Sequence, residues 1–197
     1  PGSFAEKFAK EHGIKFVSNA FMYGDIDGDK EVKVGDAYYW YGEDRSNGYD
    51  NSPGVHAYMS TDLYNWTDLG VALRAVTSKS QLTDKSNADY AYFDKAYNLT
   101  KSDGSVDAAK ADAIFPYLNT NPDQDGDGAV DSVQGIFERP KIIYNKKNKQ
   151  YVLWWHSDGS TTPGGSNYAR ALAGVAVSDN PAGPFTMVGA YRLPNQN

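Results

Sequence analysis

The same strand pattern occurs twice in this chain, in the same order. "GDAYYWYG" is answered by "NKQYVLWWH", "GVHAYMSTD" by "GVAVSDNPAG", and "YNWTDLG" by "GPFTMVG". Each unit reads as four short antiparallel strands, with an aromatic second strand and a Gly-Val third strand. A repeated four-stranded unit is the sequence mark of a β-propeller blade. The units span roughly residues 14–73 and 136–193. A propeller needs at least about four blades to close. The expected architecture is therefore all-β: about two blades of a single, partial propeller domain covering residues 1–197.

The strands of the first unit are predicted at Ile14–Tyr23, Ala37–Glu43, Val55–Asp62 and Asn65–Leu73, after a short helix over residues 4–11. Their aromatic and β-branched content supports the assignment. Residues 75–133 break the rhythm. They are rich in Asp, Ser, Lys and Asn, with one helical stretch at Ser105–Leu118, and read as an insertion.

Composition narrows the partners. The 197 residues carry a formal net charge of -6, which repels phosphate backbones and argues against nucleic acid. Aromatics make up 14% of the residues, with 15 tyrosines. Such a load must fill a core or line a surface for something flat and hydroxylated. With no cysteine, disulfides and thiolate metal sites are excluded. No apolar run approaches the roughly 18 residues of a membrane span, so no membrane partner is expected.

Four stretches together carry a resemblance: "YYWYGE" (Tyr38–Glu43), "STDLYNWTDLGVAL" (Ser60–Leu73), "ERPKIIYNKKNKQYVLWWH" (Glu138–His156) and "GVAVSDNPAGPF" (Gly174–Phe185). They resemble the five-bladed propellers of glycoside hydrolase family 43, most closely its exo-β-1,3-galactanase subgroup. The resemblance implies an inverting glycosidase acting on β-1,3-galactan or a related plant polysaccharide, secreted or held on a bacterial surface. An arabinan- or xylan-directed member of the family and a non-catalytic carbohydrate-binding fragment are the alternatives. Inverting hydrolysis pairs a carboxylic acid with a water-activating group about 6.5–9.5 Å away.

The subgroup's pattern implies that Glu43 and Glu138 face the sugar pocket as the catalytic carboxylates. Arg139 is expected to hold Glu138 ionised or to meet sugar hydroxyls. Tyr41, Trp155 and His156 are the further substrate contacts, since sugar CH faces stack on aromatic rings. Two departures stand out. The first inner strand has Asn19-Ala20-Phe21-Met22-Tyr23 where the subgroup usually has a His-Gly-Gly run. The family's usual proton donor lies on a later blade than those recognised here. Completion by missing C-terminal blades, or self-association, is therefore expected. His12 and His56 are assigned no role.

No cofactor is needed for the chemistry. "DQDGDGAVD" does fit a structural calcium loop: Asp123, Asp125 and Asp127 alternate, Gly128 allows the turn, Ala129 offers a carbonyl and Asp131 follows. The Asp-rich stretch at residues 25–36 is read as a polar hairpin turn.

Overall fold

The computed structural model describes residues 37–49 and 51–192. The helix expected at 4–11, the strand at 14–23, the Asp-rich turn at 25–36 and His12 lie outside them. Strands β1 (Tyr38–Glu43), β2 (Gly54–Ser60) and β3 (Thr67–Arg74) form one antiparallel meander. Strands β4 (Gly135–Asn145), β5 (Gln150–Gly159), β6 (Leu172–Ser178) and β7 (Thr186–Tyr191) form a second, also in chain order. The matched sequence segments occupy matched strands: β1 corresponds to β5, β2 to β6 and β3 to β7. The described residues are thus all-β apart from the partly helical insertion.

Period-two alternation decides what each strand buries. On β5, Leu153 and Trp155 point into the core while Trp154 stays 40% exposed. Phe137 stacks on Trp155 with ring centroids 5.8 Å apart, and Ala176 and Met187 complete that face. The first sheet answers with Val55, Ala57 and Leu73, all fully buried. Backbone and side-chain bonds fasten the sheets together. The Phe185 N–H donates to the Ala72 carbonyl at 2.7 Å, and the Tyr41 hydroxyl donates to the Pro181 carbonyl at 2.6 Å.

The insertion is more ordered than its polar composition indicates. It holds α1 (Ser80–Thr83), α2 (Tyr90–Tyr97) and α3 (Ala108–Leu118). The last falls within the helix predicted at Ser105–Leu118. It begins late because the Asp107 side chain caps it, accepting the Lys110 N–H. The two short helices escape sequence reading because they are only 4 and 8 residues long and lie between polar turns. Apolar residues of the insertion are nevertheless well placed: Leu82, Phe93, Leu99 and Leu118 are fully buried and continue the core of the sheets. Backbone bonds from Val76 to the Leu118 carbonyl and from Thr120 to the Val76 carbonyl hold the root of the insertion.

Trp155 owes its place to a glycine. A Cβ on Gly174 would lie 2.2 Å from the indole ring, closer than any packing tolerates. Gly174→Ala is therefore expected to destabilise the fold by about 1–3 kcal/mol through overpacking. Urea denaturation followed by tryptophan fluorescence would measure it.

Candidate functional site

Strand β4 carries a bulge at its centre. Glu138 pairs with His156 and Lys141 with Trp154, so Arg139 and Pro140 together oppose Trp155. The extra residue puts Arg139 in the left-handed region, at φ 52, a conformation disfavoured for a residue with a Cβ. Pro140 has no N–H to offer a ladder. The Arg139 N–H, displaced from the ladder, donates across to Glu43 Oε1 of the other sheet at 2.7 Å. The other oxygen of Glu43 accepts from Arg45 Nη2 at 2.5 Å. Both oxygens of Glu43 are thus engaged in holding structure. In this arrangement Glu43 braces the two sheets.

The bulge leaves Glu138 on the face opposite the core, where it collects donors. Oε1 accepts from the Tyr49 hydroxyl at 2.8 Å and the Tyr168 hydroxyl at 3.2 Å. Oε2 lies 3.1 Å from His156 Nδ1 and 3.7 Å from Arg139 Nη1. The phenol oxygens of Tyr49 and Tyr168 are themselves 2.5 Å apart. Glu138 is only 6% exposed. Burial alone would raise its pKa, but hydrogen bonds from Tyr49, His156 and Tyr168 and the charge of Arg139 outweigh it. Its carboxyl is held below the usual range, so it is an ionised acceptor at neutral pH. Burial and the bonds to Tyr168 and Glu138 push the Tyr49 phenol up. That hydroxyl keeps its proton and donates.

The predicted residues divide by strand alternation. Glu138, Arg139 and His156 meet in one cluster. Trp155 does not join them. Neighbours on a strand face opposite ways, so His156 and Trp155 cannot share a surface. At 2% exposure Trp155 is a core residue, and its role as a substrate contact is corrected accordingly. Tyr41 lies between the sheets, its hydroxyl committed to Pro181, and burial raises its pKa. Three members of the cluster went unpredicted. Asp158 was legible in principle, since two residues past His156 on a strand is the same face. Tyr49 and Tyr168 arrive from loops and left no periodic signal.

In the calcium loop, carboxylate oxygens of Asp123, Asp125 and Asp131 lie within 4.8 Å of one another. Asp127 is not in that group. Its carboxylate accepts the Ala129 N–H at 2.7 Å. Exposed Ala129 is joined to this turn through the same bond.

His56, expected to do nothing, bridges two carboxylates: Nδ1 to Asp44 Oδ2 at 2.8 Å and Nε2 to Asp68 Oδ1 at 2.5 Å. Burial works against its charge, but the two hydrogen bonds and both negative charges raise its pKa. Asp44 is lowered despite burial, by bonds from Ser46 and His56. Asp68 is lowered chiefly by its bond from His56.

No family model matches the chain, and no curated protein does. Solved structures do. An exo-β-1,3-galactanase from Phanerochaete chrysosporium bound to β-1,3-galactotriose is 27% identical over 82% of this chain and 24% of its own, with a TM-score of 0.48. An exo-β-1,3-galactanase from Clostridium thermocellum is 28% identical over 82% of this chain and 23% of its own, with a TM-score of 0.46. A family 43 β-1,3-galactosidase with galactodeoxynojirimycin is 26% identical over 83% and 32%, with a TM-score of 0.47. This chain resembles those enzymes. It spans about a quarter to a third of their length.

Two outcomes follow from this geometry. Glu43→Ala leaves the Arg139 N–H without its acceptor and is expected to cost about 1–3 kcal/mol in urea denaturation, with Glu43→Gln costing less. The His56 bridge contributes fully below the unfolded histidine pKa of 6.5 and is lost as pH rises through the higher folded value. The lowered carboxylates Asp44 and Asp68 act the opposite way. Their contribution is present above about pH 4 and is lost on acidification. His56→Gln is therefore expected to reduce stability more at about pH 5.5 than at about pH 8.5.

Proposed function

We propose that the chain is the sugar-holding part of a glycoside hydrolase acting on β-1,3-galactan or a related plant polysaccharide. The observation that carries this reading is Glu138. It is an ionised carboxylate at a strand bulge, ringed by two phenols, an imidazole and a guanidinium. Such a group accepts from sugar hydroxyls, while the aromatic edges around it suit the CH faces of a pyranose. Arg139, with its side chain 73% exposed, is the cation free to turn toward a bound sugar. The likeness to galactan-cleaving enzymes points the same way, and β-1,3-galactan is the first polymer to try. A polymeric substrate places the protein outside the cell, secreted or at the surface.

A second reading, a carbohydrate-binding unit without catalysis, is favoured by the same pKa direction. The depressed Glu138 does not hold the proton that a general acid must give to the leaving oxygen. On this view hydrolysis needs an acid beyond the cluster, from further blades or another copy. The two readings are separated by one comparison. Galactose release from β-1,3-galactan and galactobiose affinity by calorimetry are measured for the chain and for Glu138→Gln. Glu138→Gln is expected to weaken affinity about tenfold or more, the worth of a hydrogen bond to a charged group. Equal affinity in both proteins would remove Glu138 from the site. Binding without release supports the non-catalytic reading. Tighter binding of arabinan or xylan oligosaccharides would move the substrate.

For the Asp123, Asp125 and Asp131 group we propose a structural calcium ion. Three carboxylates supply part of the six to eight oxygens that calcium takes. Calcium is expected to raise the melting temperature over that in chelator, and Asp125→Asn to abolish the difference. An unchanged melt in the unaltered protein would leave the loop simply acidic.

A further inference from the structure

Behind Glu138 stands a buried aspartate that the site reading does not use. Asp158 is 1% exposed. Its Oδ1 accepts three backbone N–H groups, from Gly159 at 2.9 Å, Arg170 at 3.0 Å and Ala171 at 3.1 Å. These bonds gather the end of the β5–β6 loop, where Ala171 sits at φ 47. Arg170 secures the same loop, donating to the carbonyls of Ser160 and Pro116. The carboxylate is therefore fixed in place, and its second oxygen lies 3.2 Å from His156 Nε2. His156 Nδ1 then meets Glu138 Oε2 at 3.1 Å. Strand geometry makes the line. His156 and Asp158 are two apart on β5, and Glu138 is the cross-strand partner of His156.

We propose that Asp158 is a positioning residue for Glu138, acting through His156 by pinning the Nε2 proton. An ionised carboxylate only accepts. With Oδ1 saturated by backbone donors, Oδ2 takes the Nε2–H and sets the plane of the ring. Nδ1 is thereby directed at Glu138, and the single proton between Nδ1 and Oε2 belongs to that pair. The ring cannot rotate away without breaking the Asp158 bond. Glu138 thus keeps one oxygen oriented by the ring while its other oxygen faces the phenols of Tyr49 and Tyr168. The consequence for sugar binding rests on the reading of Glu138 as the sugar acceptor. The proton placement does not.

Imidazole nitrogen NMR of the intact chain decides the first part, with His156→Gln used to assign the signal. The proposal expects a proton on Nε2 of His156. Asp158→Asn keeps an acceptor for the backbone donors but presents an NH2 to the ring. Nε2 must then accept, so its proton is expected to be lost while Nδ1–H remains the donor to Glu138. Galactobiose affinity is expected to fall about fivefold or more in the same variant. An unprotonated Nε2 in the unaltered chain overturns the proposal, and that measurement stands even if Asp158→Asn does not fold. Loss of the Nε2 proton with unchanged affinity overturns the positioning of Glu138. If the unaltered chain binds no galactobiose, the galactan reading fails, and the nitrogen signals alone decide the role of Asp158.

Discussion

One hydrogen bond, from the Arg139 N–H to Glu43, sets the geometry on which the candidate site depends. A bulge frees a backbone donor from its ladder and leaves it needing an acceptor. Here the acceptor is a carboxylate on the neighbouring sheet. The bond therefore does two things at once. It satisfies a strained left-handed residue, and it locks the end of β1 against the middle of β4. With β4 held there, Glu138 lies within reach of Tyr49 from the β1–β2 loop and Tyr168 from the β5–β6 loop. Each sheet thus supplies a loop to a carboxylate that only one of them owns.

The adjacent Glu138-Arg139-Pro140 triplet now has a physical explanation. Pro140 lacks the N–H that a regular ladder would use, and Arg139 turns its own outward. Glu138 takes the last regular position before the bulge. Its side chain faces away from the core, while Phe137, one residue earlier, stacks under Trp155. A regular strand through this point would shift the residues that follow to the opposite face. The bulge preserves both the core register of Leu153 and Trp155 and the polar register of Glu138, His156 and Asp158.

Much of this was legible in the residues. The repeated strand order located β1, β2 and β3 to within a few positions and marked out a matching second unit, because alternation and aromatic content are local signals. Glu138 came from the resemblance, and His156 from its place at the end of an aromatic strand. The errors have common physical sources. Trp155 was grouped with His156 by chemistry, although period-two alternation forbids it. What stayed hidden about Glu43, which the resemblance put forward, is its brace to β4, because that depends on a donor 96 residues away. Tyr49 and Tyr168 enter from loops, where nothing periodic marks them. The small helices of the insertion were hidden because they are short and set between polar turns, although Leu82 and Phe93 in them are fully buried.

The two histidine bridges show how the same chemistry serves different ends. His56 links Asp44 and Asp68 on the outer side of the first sheet, among Tyr58 and Trp40. There it joins the strand-end residue Asp44 to β2 and β3. His156 links Glu138 to Asp158, but one of those carboxylates is saturated by backbone donors and the other by phenols that a hydroxylated ligand could replace. That asymmetry separates a structural bridge from a candidate site. A buried Asp158 anchors, an imidazole transmits the orientation, and Glu138 presents an oriented, ionised oxygen. Its low pKa suits it to receive hydrogen bonds rather than to give up a proton. A general acid needs the opposite tuning, which the surroundings of Glu138 do not supply.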